Sequence, residues 1–208
     1  MTSLKHFDTR KLVLLALLTA VVIVFQFLGT FIRFGPFAVS LVLMPIAVGA
    51  ALLGTLAGAW LGFVFGFVVL ISGDAAPFLA VNPAATIIIV LLKGLLAGLA
   101  AGLLYNSLES INKTVAAFAA ALICPIVNTG VFIAGCYIFF LPTLTDWGIA
   151  AGIVNVTAFI FLILIGANFF FELGINLILS PAIVRLIQYR IDTKAKENKP
   201  DVHNNQND

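Results

Sequence analysis

The sequence predicts an all-α membrane protein, a bundle of six transmembrane helices, and three observations carry that prediction. Of its 208 residues, 62% are hydrophobic and 10% charged, with a mean hydropathy of +1.16. Soluble domains run near half apolar and a quarter charged. The apolar residues form runs separated by turn signals, and the length accommodates about six spans of roughly 20 residues each. The Lys and Arg residues lie almost wholly on one side of those spans.

The first span is read at 11–31. Lys5, Arg10 and Lys11 precede it as in a secretory signal, but the run from Leu12 to Ile32 exceeds an h-region and no A-x-A-like site follows, so a retained helix is expected. Spans at 37–53, 55–72, 84–106, 114–140 and 149–179 follow. They are joined at Arg33-Phe34-Gly35-Pro36, Gly54, Gly73 to Pro83, Asn106 to Lys113 and Leu141 to Gly148, each carrying Gly, Pro or Asn. Pro181 interrupts the last helix, and an amphipathic piece from Ala182 to Ile191 leads out of the membrane. Residues 1–191 thus read as one transmembrane domain and 192–208 as a disordered polar tail.

An even number of spans puts both termini on one side. That side holds Lys5, Arg10, Lys11, Lys113, Arg185, Arg190, Lys194, Lys196 and Lys199, against Arg33 alone on the other. The positive-inside rule places both termini in the cytoplasm, so Arg33, Asp74 and Asp146 face outward. Cys124 and Cys136 share one apolar stretch and stand about 18 Å apart along a helix, too far to form a bridge.

Small residues recur at helical spacing. Ala16 and Ala20 form an A-x-x-x-A face in the first span; Gly54, Gly58, Gly62 and Gly66 share a face in the third, and Gly94, Gly98 and Gly102 one in the fourth. Within lipid, close backbone approach over small residues does much of the helix packing. The glycine rows are expected to pack within the chain.

Lys93 lies about nine residues down the fourth span, Asn128 about twelve down the fifth and Asn155 about six down the sixth, with Thr129 and Thr157 beside the two Asn. An ionisable residue inside an apolar span usually faces a bundle interior or wet cavity and marks a ligand path. These residues are expected to line one cavity open to the outside. The outer loops add Arg33, Asp74 and Asn82, with Phe34, Phe37, Phe78, Tyr137 and Trp147 close by, and apolar walls with a few convergent polar groups are how small-molecule sites are built. Two alternatives stand beside that reading: an interhelical hydrogen bond for each Asn, and an ion pair with Asp74 or Glu172 for Lys93. Glu172 and Asn176, near the cytoplasmic end of the last helix, are assigned to interface solvation, and Trp147 also suits an interface anchor.

Several classes are disfavoured. His6 and His203 lie in the tails, and no G-x-S-x-G, no H-E-x-x-H and no paired mid-depth carboxylates occur, so no enzyme and no catalytic residue is expected. No G-x-x-x-x-G-K-[ST] loop is present for ATP, and the halves show no inverted repeat of a self-sufficient carrier. No cofactor, metal or nucleic acid is expected. A binding subunit that borrows its energy from partners fits these absences; a small membrane assembly or scaffold protein without a ligand is the other reading.

Residues 8 to about 190 resemble the substrate-binding S components of energy-coupling factor (ECF) transporters, the vitamin-uptake relatives of ABC importers. The resemblance rests on Asp8-Thr9-Arg10-Lys11-Leu12-Val13 running into Ala16 to Ala20, on Phe34-Gly35-Pro36-Phe37, Gly54 to Gly66 and Ser72-Gly73-Asp74, and on Cys124-Pro125-Ile126-Val127-Asn128-Thr129-Gly130. It implies a six-helix subunit of a bacterial plasma membrane that captures a water-soluble vitamin or precursor from outside. Ala16 and Ala20 would dock on a transmembrane scaffold attached to two cytoplasmic ATPases, and the loaded subunit would topple to present its site inward. The loops Arg33 to Phe37, Gly73 to Asn82 and Leu141 to Trp147 would cover the ligand. A buried ammonium is least costly when its ligand neutralises it, so Lys93 puts pantothenate first on charge and size, with folate and riboflavin next.

Overall fold

The computed structural model describes residues 9–31, 33–34, 37–38, 41–166 and 169–178, with the backbone alone at 33, 34, 37 and 38. The expected break at Pro181, the amphipathic piece at 182–191 and the tail at 192–208 lie outside the described residues.

Eight helices make up the bulk of the described chain: α1 (Thr9–Gly29), α2 (Leu43–Leu53), α3 (Thr55–Ile71), α4 (Ala76–Val81), α5 (Pro83–Leu108), α6 (Lys113–Phe139), α7 (Leu141–Ala150) and α8 (Val156–Ile178). Within α8, Ile160–Gly166 is wound as a π-helix. Between α1 and α2 a short antiparallel ladder pairs β1 (Arg33–Phe34) with β2 (Phe37–Ala38), Arg33 opposite Ala38 and Phe34 opposite Phe37.

Four helices, α1, α5, α6 and α8, are long and apolar enough to cross a membrane. The other two expected spans are shorter: α2 has 11 residues and α3 has 17, about 16 and 25 Å at 1.5 Å per residue, against a hydrocarbon core of about 30 Å. The expected span at 37–53 loses its first residues because Phe37 and Ala38 are taken up by the ladder. Two segments expected as loops are helical. Pro77 and Pro142, read as breakers, each stand in the first turn of a helix, α4 and α7, where a missing N–H leaves no bond unmade. The last long helix accordingly starts at Val156 rather than 149, after a turn in which Gly152 has φ 78°.

Glycine sets the central packing. The chain reverses at Gly54 (φ 98°), so that α3 returns along α2 and a Cβ on Gly58 would meet Ala50 Cβ at 2.6 Å. On its other side α3 lies antiparallel to α5. Gly58 faces Gly98, Gly62 faces Gly94, Gly66 faces Val90 and Thr55 faces Gly102, each backbone touching where a side chain would stand. The two glycine rows therefore meet each other, and this is the most extensive helix pair in the molecule. The turn after α5 is closed by Asn112, whose side chain accepts from the Thr114 and Val115 amides. α6 then returns antiparallel to α5, Gly135 against Ile89.

Two apolar clusters result. One runs through α1, α2, α3, α5 and α6, with Val22, Leu43, Ile46, Leu61 and Phe65 fully buried. The other gathers Phe78 of α4, Phe140 and Leu144 at the start of α7, and Phe159, Ile160 and Leu164 of α8.

The helix contact yields a stability prediction. Gly62→Ala places a methyl against the Gly94 carbonyl and is expected to cost about 1–3 kcal/mol, lowering the melting temperature of the detergent-solubilised protein. Gly130→Ala, where an added Cβ meets nothing within 4 Å, is expected to be neutral or to stabilise by up to about 1 kcal/mol, because Ala is the better helix former.

Candidate ligand-binding cavity

Lys93 sits ten residues into α5, beside Gly94. Because Gly94 abuts Gly62, α3 comes close enough for Phe65 to reach the lysine side chain. The ammonium lies 5.5 Å from the centroid of Phe65 and 5.4 Å from that of Phe132 on α6, a two-sided cation–π contact of the kind favoured where water is scarce. It faces a cavity of about 90 Å³ at the junction of the two apolar clusters, room for several waters at about 10–15 Å³ each.

Some of the polar groups on the cavity are held by the protein and others are not. Asp74, just after α3, accepts hydrogen bonds from Gln26 Nε2 at 2.7 Å and Ser72 Oγ at 3.3 Å, which ties α1 to the α3–α4 connection. Gln26 is 3% exposed and its Oε1 has no partner. Asn128 on α6 is 4% exposed, and its Oδ1 likewise has none. It stands three residues beyond Pro125, the proline inside α6. Thr86 and Thr129 complete the hydroxyls on the cavity, and Thr86 donates its proton to the Asn82 carbonyl at 2.7 Å.

Glu172 also lines the cavity and is 4% exposed. Its neighbour Asn176 is 1% exposed and donates through Nδ2 to the Glu172 carbonyl at 2.8 Å. The expectation that these two residues are solvated at the interface is thus corrected. With α8 starting at Val156 instead of 149, Glu172 lies about 10 Å less far down the helix. The π stretch, wider by a residue per turn than an α-helix, also rotates every residue after it away from the face that α-helical counting assigns.

Of the residues expected at the site, the structure brings Lys93, Asp74 and Asn128 together, with Thr129. Asn82 and Asn155 cap helices instead: Asn82 Oδ1 accepts from the Ala85 amide of α5 and Asn155 Oδ1 from the Ala158 amide of α8, both at 3.1 Å. Tyr137 donates to Thr157 Oγ1 at 3.1 Å and packs, with Trp147, on the second cluster. Arg33, Phe34 and Phe37 lie on the ladder, where the backbone alone is described. Gln26, Thr86, Phe132, Phe169 and Glu172 were not among the expected site residues. The available signal for Gln26 was a polar amide deep in an apolar span.

Over the cavity, α4 and α7 form a roof around Phe78. Its ring meets Phe140 at 4.9 Å, Phe132 at 5.5 Å and Trp147 at 5.6 Å, all edge to face. Two of the three segments expected as covering loops, Gly73 to Asn82 and Leu141 to Trp147, thus contain short helices joined by one aromatic cluster beside the cavity.

A family model for the substrate-specific component of ECF transporters matches residues 10–184. The chain belongs to that family. No curated protein and no solved structure matches it. As an S component it is a membrane-embedded, substrate-binding subunit of a transporter that works with an ECF module. Its cavity combines apolar walls with a few polar groups, the general make-up of a small-molecule site.

The roof makes a prediction about access. Cys136 lines the cavity and is buried, while Cys124 is buried elsewhere with its Sγ toward the Leu43 carbonyl. In a Cys124→Ala background, Phe78→Ala is expected to raise the rate at which a water-soluble maleimide labels Cys136 by about tenfold or more. It should also lower stability by about 3–5 kcal/mol. The readout is the mass shift over time in protein shown to be folded.

Proposed function

We propose that this S component captures a water-soluble vitamin or vitamin precursor from outside the cell in the cavity beneath the α4–α7 roof. It delivers the ligand inward by toppling when docked on the transmembrane scaffold and two ATPases of its ECF module in a bacterial plasma membrane. The carrying observation is that two buried amide oxygens without partners, Gln26 Oε1 and Asn128 Oδ1, border the same cavity as the Lys93 ammonium. Buried polar groups almost always find a partner in the protein, in ordered water or in a ligand. Asn176 Oδ1 is a third such atom and lies off the cavity; what supports the reading is that Gln26 and Asn128 converge on one cavity with Lys93, as polar groups do in a small-molecule site.

Six passes with both termini in the cytoplasm belong to this reading, with α2 and α3 crossing as a tightly packed pair. The support is the charge distribution, which leaves Arg33 as the single cation on the outer side. The docking face is α1. Ala16 and Ala20 are both exposed, on a helix with only Val22, Gln26 and Gly29 buried. Taken alone, Lys93 points to pantothenate, then folate and riboflavin.

Two experiments test the proposal. In a thermal-shift screen of the detergent-solubilised protein against water-soluble vitamins and precursors, one compound is expected to stabilise it, by about 2.7 kcal/mol at one hundred times its Kd, and Lys93→Ala to abolish the shift. No shift from folded protein would favour the packing-only reading. In an assembled transporter, Ala16→Trp and Ala20→Trp are expected to abolish uptake while ligand binding persists; uptake surviving both would remove α1 as the docking face.

A further inference from the structure

Lys93 considered by itself calls for an anion, but its surroundings change that conclusion. Two carboxylates, Asp74 and Glu172, line the same cavity as its ammonium. Among the described lining residues there is one cationic side chain and there are two anionic ones. An ammonium already offset in this way gains little from a further anion. A ligand carboxylate brought into the same largely buried space is repelled by Asp74 and Glu172.

Hydrogen-bonding capacity points the same way. Gln26 donates through Nε2 to Asp74 Oδ2, which fixes the orientation of its amide and leaves Oε1 as a buried acceptor without a donor. Asn128 Oδ1 is a second such acceptor. Thr86 has committed its proton to the Asn82 carbonyl and offers the cavity lone pairs only. With the two carboxylates, these acceptors face the Lys93 ammonium, the Thr129 hydroxyl, the Asn128 amide N–H groups and the second N–H of Gln26 as donors, and the two amide oxygens are the groups left unmet.

We infer that the ligand of this site is a neutral or cationic molecule rich in N–H and O–H donors, and that carboxylates and phosphates are selected against. The inference rests on the reading of the cavity as the substrate site. It reverses the order drawn from Lys93 alone: riboflavin, with no ionised acid group, moves ahead of pantothenate and folate. The aromatic lining from Phe78, Phe132, Phe140 and Phe169 suits a ligand with a flat or apolar body behind its donors.

The test compares matched pairs on the wild-type full-length protein in detergent: pantothenol with pantothenate, nicotinamide with nicotinate, and riboflavin with its 5′-phosphate. Dissociation constants are read by thermal-shift titration and calorimetry. In each pair that binds, the uncharged member is expected to bind about tenfold more tightly or better. Tighter binding of the acidic member would overturn the inference and leave the vitamin-binding reading standing. Binding by no member of any pair, from folded protein, would overturn both. Asn128→Leu is expected to weaken the bound neutral compound by about tenfold; unchanged affinity would remove the amide from the site. The pair comparison needs no substitution, so a variant that fails to fold leaves it decisive.

Discussion

The close approach of α3 to α5 over paired glycines is the constraint on which the rest of this molecule depends. Gly58, Gly62 and Gly66 stand against Gly98, Gly94 and Val90 with backbone touching backbone. Between lipid-exposed helices, contact of this kind substitutes for the hydrophobic drive that a bilayer does not supply. It also fixes the distance from α5 to Phe65. Lys93 is the residue next to Gly94, and only with α3 this close does its ammonium rest between Phe65 and Phe132. Packing and site are thus one piece of geometry: the row of missing side chains on one face of α5 places the charged side chain on the adjoining face.

The cavity exists because the two apolar clusters do not merge. The larger is built from α1 and the antiparallel run of α2, α3, α5 and α6, and the smaller from aromatic and aliphatic side chains of α4, α7 and α8 packed on Ala85 and Ile89 of α5 and Cys136 of α6. Where they meet, polar side chains arrive from five different parts of the chain: Gln26, Asp74, Lys93, Asn128 and Glu172. A set drawn from so many elements is costly to bury unless the groups serve one another or a guest. The Gln26–Asp74 hydrogen bond is the part that serves the protein, and the unmet amide oxygens are the part left over.

Much of this was legible in the sequence. The glycine rows and the depth of Lys93 and Asn128 follow from helical periodicity alone, because a long, uninterrupted α-helix keeps count. Legibility failed where that count is broken. Pro77 and Pro142 stop a helix or start one with equal ease, and here they start α4 and α7. That displaced the origin of α8, and the π turns between Ile160 and Gly166 then moved Glu172 onto the cavity. Asn82 and Asn155 show a related point: a helix-capping Asn and a ligand-binding Asn are the same residue at the same depth, and it is the backbone around these two that shows them capping α5 and α8.

The sparse burial of α1 has a consequence for how such a chain can change over time. Its outward face, from Val13 through Leu17 and Val24 to Leu28, is open, and the single residue it contributes to the cavity is Gln26. Nearly every substitution on that face is therefore remote from the cavity, and nearly every substitution at the cavity is remote from that face. The two surfaces are free to drift along largely separate evolutionary paths, with the hydrogen bond from Gln26 to Asp74 as a point at which a change in either is felt by the other.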